Sequence, residues 1–208
     1  MDAIAQEKKQ NPYLGHPPLV VHLQPVLNLT DDQLYEFSQI NRDLRIERNA
    51  EGELIIMPPA GGDTSQRNAE IIVQLGSWAK RNGEGVTFDS SGGFRLSSGA
   101  VRSPDAAWVK RTRLDALSAE ERQKFIPLCP EFVIELRSPT DSLSLLQEKM
   151  QEYLDNGAQL AWLIDPELKR VHIYRPGEPV QELAHPEIIS GGPLLDGFEL
   201  DLREIVSP

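Results

Sequence analysis

The apolar positions of the chain change period several times, and each change predicts an element. Leu34, Phe37 and Ile40 recur at helical spacing after Thr30-Asp31-Asp32-Gln33, an N-cap hydroxyl with glutamine three residues on, which predicts a short capped helix. Leu44 and Ile46, then Leu54 to Met57, flank the turn Asn49-Ala50-Glu51-Gly52 and predict a hairpin that Pro58-Pro59 ends. Ala69, Ile72, Leu75 and Ala79 form the next helical stripe, expected to be capped by Thr64 or Ser65 and stopped at Asn82-Gly83. Residues 86 to 109, interrupted by Gly92, Gly93 and Gly99, read as a β-meander of two or three strands.

The second half is patterned more strongly. Ser118-Ala119-Glu120-Glu121 is another capping box, and Phe132 to Leu136 is short, apolar and β-branched, as a central strand should be. A helix over about 141–156 follows, with Leu143, Leu146, Met150 and Tyr153 on its inward face and Gly157 as its stop. Leu160 to Asp165 is a second apolar strand, so strand, helix, strand predicts a βαβ unit with parallel pairing. Residues 171–174 and 180–183 predict a closing hairpin. Residues 1–28, rich in proline and without helical period, are expected to form an extended arm ahead of one domain over 29–208.

Composition changes this picture little. With 208 residues, 39% hydrophobic and 25% charged, the chain suits one globular core, and no apolar run is long enough for a bilayer. Its polar first residues lack a signal-peptide core, which predicts a cytoplasmic setting. Charge matters more. A net −11 repels phosphate, yet residues 64–113 hold eight basic against four acidic residues, a local excess that could present one face to DNA.

Two acids stand out. Asp105 lies in the turn Ser103-Pro104-Asp105-Ala106, where capping of local backbone donors is the ordinary role. Glu135 lies inside the apolar strand, on the face shared by Val133 and Arg137, so it must meet a cation: a metal, Arg137 or Lys149. Carboxylates that converge in this way can hold a hard divalent ion for phosphodiester chemistry. Lys149 sits at the edge of the buried helical stripe, able to reach the end of the Glu135 strand or to pair with Glu148 or Glu152 on its own helix. Tyr153, on the stripe itself, reads as core packing.

Other chemistries find no support. There is no phosphate-binding G-x-x-x-x-G-K loop, no G-x-S-x-G elbow and no dinucleotide fingerprint, so no nucleotide cofactor is expected. Four scattered histidines (His16, His22, His172, His185) and one cysteine, Cys129, make no recognisable zinc set. Cys129 reads as a small buried hydrophobe.

Ser-Pro-Asp105, the strand ending Glu135-Leu136-Arg137-Ser138-Pro139, the helix with Lys149 and Tyr153, and Asn156-Gly157 leading to Trp162-Leu163-Ile164-Asp165-Pro166 together resemble the Uma-type endonucleases. That family is placed in the restriction-endonuclease-like PD-(D/E)XK superfamily. The resemblance spans roughly residue 30 to the C-terminus. It implies an α/β fold with an αβββαβ core, a mixed sheet flanked by helices, an N-terminal arm and hairpin, and a C-terminal β-extension. It implies hydrolysis of DNA with Asp105, Glu135 and the Leu136 backbone carbonyl as ligands of Mg²⁺ or Mn²⁺. One position departs from the superfamily pattern: lysine is expected two residues after the glutamate, and Arg137 stands there. Arginine stays protonated and can only stabilise a phosphate. The resemblance implies that the lysine has moved to the next helix, which points to Lys149. Glu70, on the first long helix, matches the place of an additional metal-orienting acid. Cutting both strands favours a two-fold homodimer. The competing expectations are a catalytically inactive nucleic-acid-binding or assembly module, and a structural protein in which Glu135 simply pairs with Arg137 or Lys149.

Overall fold

The computed structural model describes residues 17–206. The elements run β1 (Leu19–Val21), α1 (Asp31–Ile40), β2 (Arg45–Arg48), β3 (Leu54–Met57), α2 (Gly62–Asn82), β4 (Gly85–Asp89), β5 (Phe94–Arg95), β6 (Val101–Arg102) and β7 (Ala106–Lys110). They continue with α3 (Arg111–Asp115), α4 (Ala119–Gln123), β8 (Phe132–Leu136), α5 (Leu143–Asp155), β9 (Leu160–Asp165), β10 (Arg170–Tyr174), β11 (Gln181–Ala184), β12 (Ile188–Ser190) and β13 (Glu199–Asp201).

The main sheet has the order β11-β10-β9-β8-β7-β4. Its pairings are antiparallel except β8 with β9, where Phe132 faces Leu160 and Leu136 faces Ile164 in a parallel register. The expected βαβ unit is therefore present, and α2, β4, β7, β8, α5 and β9 trace the αβββαβ core in chain order.

Alternation along the central strands divides the core. Phe132, Ile134, Leu136, Trp162 and Ile164 point to one face, where they meet Ile71, Leu75 and Trp78 of α2 and Phe198, Leu200 and Leu202 of the C-terminal segment. Phe132 meets the Trp162 ring edge-on at a centroid distance of 4.7 Å, Phe198 stacks on it at 5.9 Å, and the two phenyl rings touch each other at 6.2 Å. Val133, Ala161 and Leu163 point the other way, onto Met150 and Tyr153 of α5. Glu135 shares that second face, so a carboxylate is delivered beneath α5.

A second sheet, β1-β3-β2-β6-β5, is built from the predicted hairpin. Residues 19–21 of the expected arm are its edge strand, with Leu19 opposite Ile56; residues 1–16 of that arm lie outside the described residues. β2 is short but two-sided. Ile46 enters a cluster with Leu34, Leu54 and Val101, while Arg45 and Glu47 point to the opposite face, toward the main sheet.

Three local expectations need correction. α2 begins at Gly62 with Gly61 as N-cap and no side-chain cap; the Ser65 amide bonds the Gly61 carbonyl, so the helix starts one turn before Thr64 or Ser65 could cap it. Its buried stripe is Ile71, Leu75, Trp78 and Ala79, with Ala69 exposed, because Trp78 turns its bulk against Trp108 and Phe198 and rotates the helix accordingly. Residues 86–109 are no meander. β4 pairs directly with β7, and the β5–β6 hairpin between them leaves the main sheet to join β2. Gly93 permits that detour, since a Cβ there would stand 2.4 Å from the Phe125 ring.

Candidate active site

The turn after β6 holds Asp105 at the mouth of β7, and the antiparallel neighbour β8 brings Glu135 into the adjacent strand. Asp105 is anchored by the sheet itself: its Oδ2 accepts the Leu136 backbone N–H at 2.9 Å. The Asp105 carboxylate thus caps no local donor with this oxygen, as a Ser-Pro-Asp turn ordinarily would; its partner is the residue after Glu135, on the neighbouring strand. Oδ1 receives weaker contacts, Arg45 Nη1 at 3.4 Å, Arg45 Nη2 at 3.5 Å and Asn68 Nδ2 at 3.3 Å. These lie beyond the usual range of a good hydrogen bond, so Oδ1 is weakly committed.

Glu135 is 4% exposed, and its Oε1 accepts from the Tyr153 hydroxyl at 2.9 Å and from Lys149 Nζ at 2.8 Å. The cation that the strand pattern demands is therefore Lys149, four residues before Tyr153 on α5, and neither Glu148 nor Glu152 takes it. Burial pushes the Glu135 carboxyl up to about 7; Lys149 works against that shift, while Asp105 and Glu47 add to it. Burial also disfavours the Lys149 charge, but Glu135 and Glu47 outweigh it and raise the ammonium's pKa.

Glu47 was not foreseen. It is 1% exposed and accepts from Lys149 Nζ at 3.0 Å, the Ser103 amide at 3.0 Å and Arg102 Nη1 at 3.2 Å. Burial opposes its charge, yet Lys149, Arg102, Arg45 and the Ser103 amide together hold its carboxyl down at about 2. Arg102 is completed by Glu152 of α5 at 2.5 Å. Arg45 and Asn68 were missed as well, Arg45 and Glu47 because three charges in the four-residue strand Arg45-Ile46-Glu47-Arg48 resemble a solvated edge. A sharper signal was available, since Arg45 and Glu47 share a face that Ile46 does not.

Not every expected residue joins this group. Arg137 gives Nη1 to the fully buried Asp165 at 2.7 Å and Nε to the Asp141 carbonyl at 3.3 Å. Glu70 accepts from Gln74 at 2.9 Å, and Gln74 in turn clamps the Asp201 backbone of β13, so from α2 it is Asn68 that reaches Asp105. The local basic excess is largely spent internally. Arg95 pairs with Asp31, Arg102 with Glu47 and Glu152, and Arg113 with Glu131, acids that all come from outside residues 64–113.

The donor chemistry fits a hard divalent cation. Among the described residues no group of three or more His, Cys, Asp and Glu side chains is arranged to hold a metal. Two carboxylates are nevertheless close enough that Asp105 raises the Glu135 pKa, the repulsion a shared cation relieves. Beside Asp105, the Asn68 Oδ1 is a buried oxygen without a hydrogen-bond partner. All are oxygen ligands of the kind Mg²⁺ and Mn²⁺ prefer.

The architecture is a mixed α/β fold, its sheets flanked by helices. A crystal structure from Anabaena variabilis, described as a "putative nuclease belonging to DUF820", superposes with a TM-score of 0.67 at 21% identity, covering 77% of this chain and 89% of that one. The family model Uma2, "Putative restriction endonuclease", matches residues 31–203, and the chain belongs to that family. No curated protein matches the chain. No helix among the described residues is long and apolar enough to cross a membrane.

Proposed function

We propose that the chain is a metal-dependent endonuclease that hydrolyses DNA phosphodiester bonds. The observation that carries this reading is the convergence of Asp105, Glu135 and Lys149 from three separate elements onto one partly desolvated site. Asp105 and Glu135, with the Leu136 backbone carbonyl, would hold Mg²⁺ or Mn²⁺. When bound, such an ion polarises a non-bridging phosphate oxygen and lowers the pKa of a water.

The chain's own groups have distinct tasks. The Leu136 amide fixes Asp105, and the Tyr153 hydroxyl fixes Glu135. Lys149, kept charged by two buried carboxylates, is a poor base but a good donor, suited to orient the attacking water and to stabilise charge on the phosphorus centre. Arg45, about a third exposed, is anchored by Nη2 on the Ser103 carbonyl at 2.6 Å and touches Asp105 only loosely, which suits its guanidinium to meet the scissile phosphate. Arg137 has its Nη1 and Nε engaged and offers its remaining donors to a neighbouring phosphate. Glu70, bonded to Gln74, would act only by relay.

A second reading has its own support. Because Lys149 already compensates Glu135, the site is electrically satisfied without an ion, as a DNA-binding or assembly module that does not cut would be. Plasmid and single-stranded DNA incubated with the protein in Mg²⁺, Mn²⁺ or EDTA separate the two. Nicked or linear product that EDTA abolishes supports the nuclease, and retarded but intact DNA supports the module. The same preparation run by analytical ultracentrifugation tests the homodimer that double-strand cutting favours.

A further inference from the structure

Lysine has three N–H donors and a long flexible stem, so a single ion pair does not fix where its ammonium points. Lys149 has two partners on opposite sides, Glu135 Oε1 at 2.8 Å from β8 and Glu47 Oε1 at 3.0 Å from β2. Two donors are spent and one remains. Glu47 is itself immobilised by the Ser103 amide on the same oxygen and by Arg102 on the other, and Arg102 is tied back to α5 through Glu152. Ser103 is two residues from Asp105. One carboxylate thus joins the Asp105 turn, the α5 helix and the hairpin sheet.

We propose that Glu47 is a positioning residue that aims the remaining N–H of Lys149 into the site and holds the Asp105 turn in register with it. The proposal rests on the nuclease reading for its catalytic consequence, though not for the placement of Lys149. It gives β2 a functional role: the N-terminal hairpin completes the site, and truncating it removes more than packing. A misaimed donor costs rate and leaves substrate binding largely intact, because orientation matters most in the transition state.

The test uses the full chain with Glu47→Gln, Glu47→Asp, Lys149→Met and the double variant Glu47→Gln/Lys149→Met, each checked by thermal melting. In Mn²⁺-supported plasmid cleavage, Glu47→Gln is expected to lower kcat about 100-fold with little change in KM, and Glu47→Asp to recover part of the loss. Added to Lys149→Met, Glu47→Gln should cost almost nothing more, since glutamine keeps an oxygen for the Ser103 amide that holds the Asp105 turn, and the rest of its effect passes through one ammonium. Independently of cleavage, reductive methylation followed by peptide mass spectrometry should modify Lys149 faster in Glu47→Gln than in wild type. Additive losses in the double variant, or unchanged Lys149 modification, overturn the proposal. If wild type cuts no DNA, the nuclease reading falls and the methylation rates alone decide the positioning. If Glu47→Gln fails to fold, Glu47→Asp supplies the comparison, and wild-type rates in both assays overturn the proposal.

Discussion

Lys149 Nζ lies 2.8 Å from Glu135 Oε1, an ion pair between a helix and a strand that is almost wholly removed from solvent. A lysine borne on the Glu135 strand two residues later would sit on the same sheet face. Here that position is Arg137, which turns to Asp165, and the ammonium arrives from the opposite layer. The ammonium that faces Glu135 therefore comes from α5 and not from its own strand.

Breaking that pair from its two ends should not cost the same. Lys149→Met leaves Glu135 and Glu47 buried beside each other without their shared cation, a loss of about 3–5 kcal/mol. Glu135→Gln leaves Lys149 with Glu47 and keeps an acceptor for the Tyr153 hydroxyl, so its cost should be smaller. Urea denaturation ranks the two; equal losses contradict the network as described.

Much of this site was legible in the chain. Glu135 sits at an alternation that forced a cation on it, and the stripe of Leu143, Leu146, Met150 and Tyr153 placed Lys149 at the edge of the same buried face. Tyr153 packs in the core as its place on the stripe predicts, yet its hydroxyl also reaches Glu135. What was not legible depends on contacts between distant segments. Glu47 meets Lys149 across 102 residues, and Arg45 meets Asp105 across 60, pairings that no local period encodes. The β5–β6 detour is illegible for the same reason, since its partner strand β2 lies some fifty residues earlier.

The pH response follows from two opposite shifts. The folded chain holds a proton on Glu135 up to about 7 that the unfolded chain loses near 4.5, so this group's share of stability is greatest below 4.5 and declines as pH climbs to about 7. Glu47, held at about 2, contributes stability above 4.5 that is lost as pH falls toward 2. A divalent ion at Glu135 must displace the proton, so Mn²⁺ affinity measured by calorimetry should rise about tenfold between pH 6 and pH 8. A pH-independent affinity would remove Glu135 from the ligand set.

Cys129 makes a separate test of the second core layer. Burial pushes its thiol up to about 12, and the sulfur donates to the Tyr153 carbonyl at 3.5 Å. Iodoacetamide at pH 8 should leave the native chain unlabelled and modify it fully in denaturant. Rapid native labelling would mean that the layer beneath α5 opens freely.

As ligands of the proposed DNA-cutting site, Asp105 and Glu135 should be indispensable to cleavage. Conversion of supercoiled plasmid in Mg²⁺ or Mn²⁺ by wild type and by Asp105→Asn, both verified as folded by their melting curves, tests it most directly. Asp105→Asn keeps an oxygen to accept the Leu136 amide, so the turn survives while the ligand charge is lost. Wild type should cleave and the variant should be at least about 100-fold slower, as when a transition-state charge partner is removed. Equal cleavage by the two proteins would contradict it.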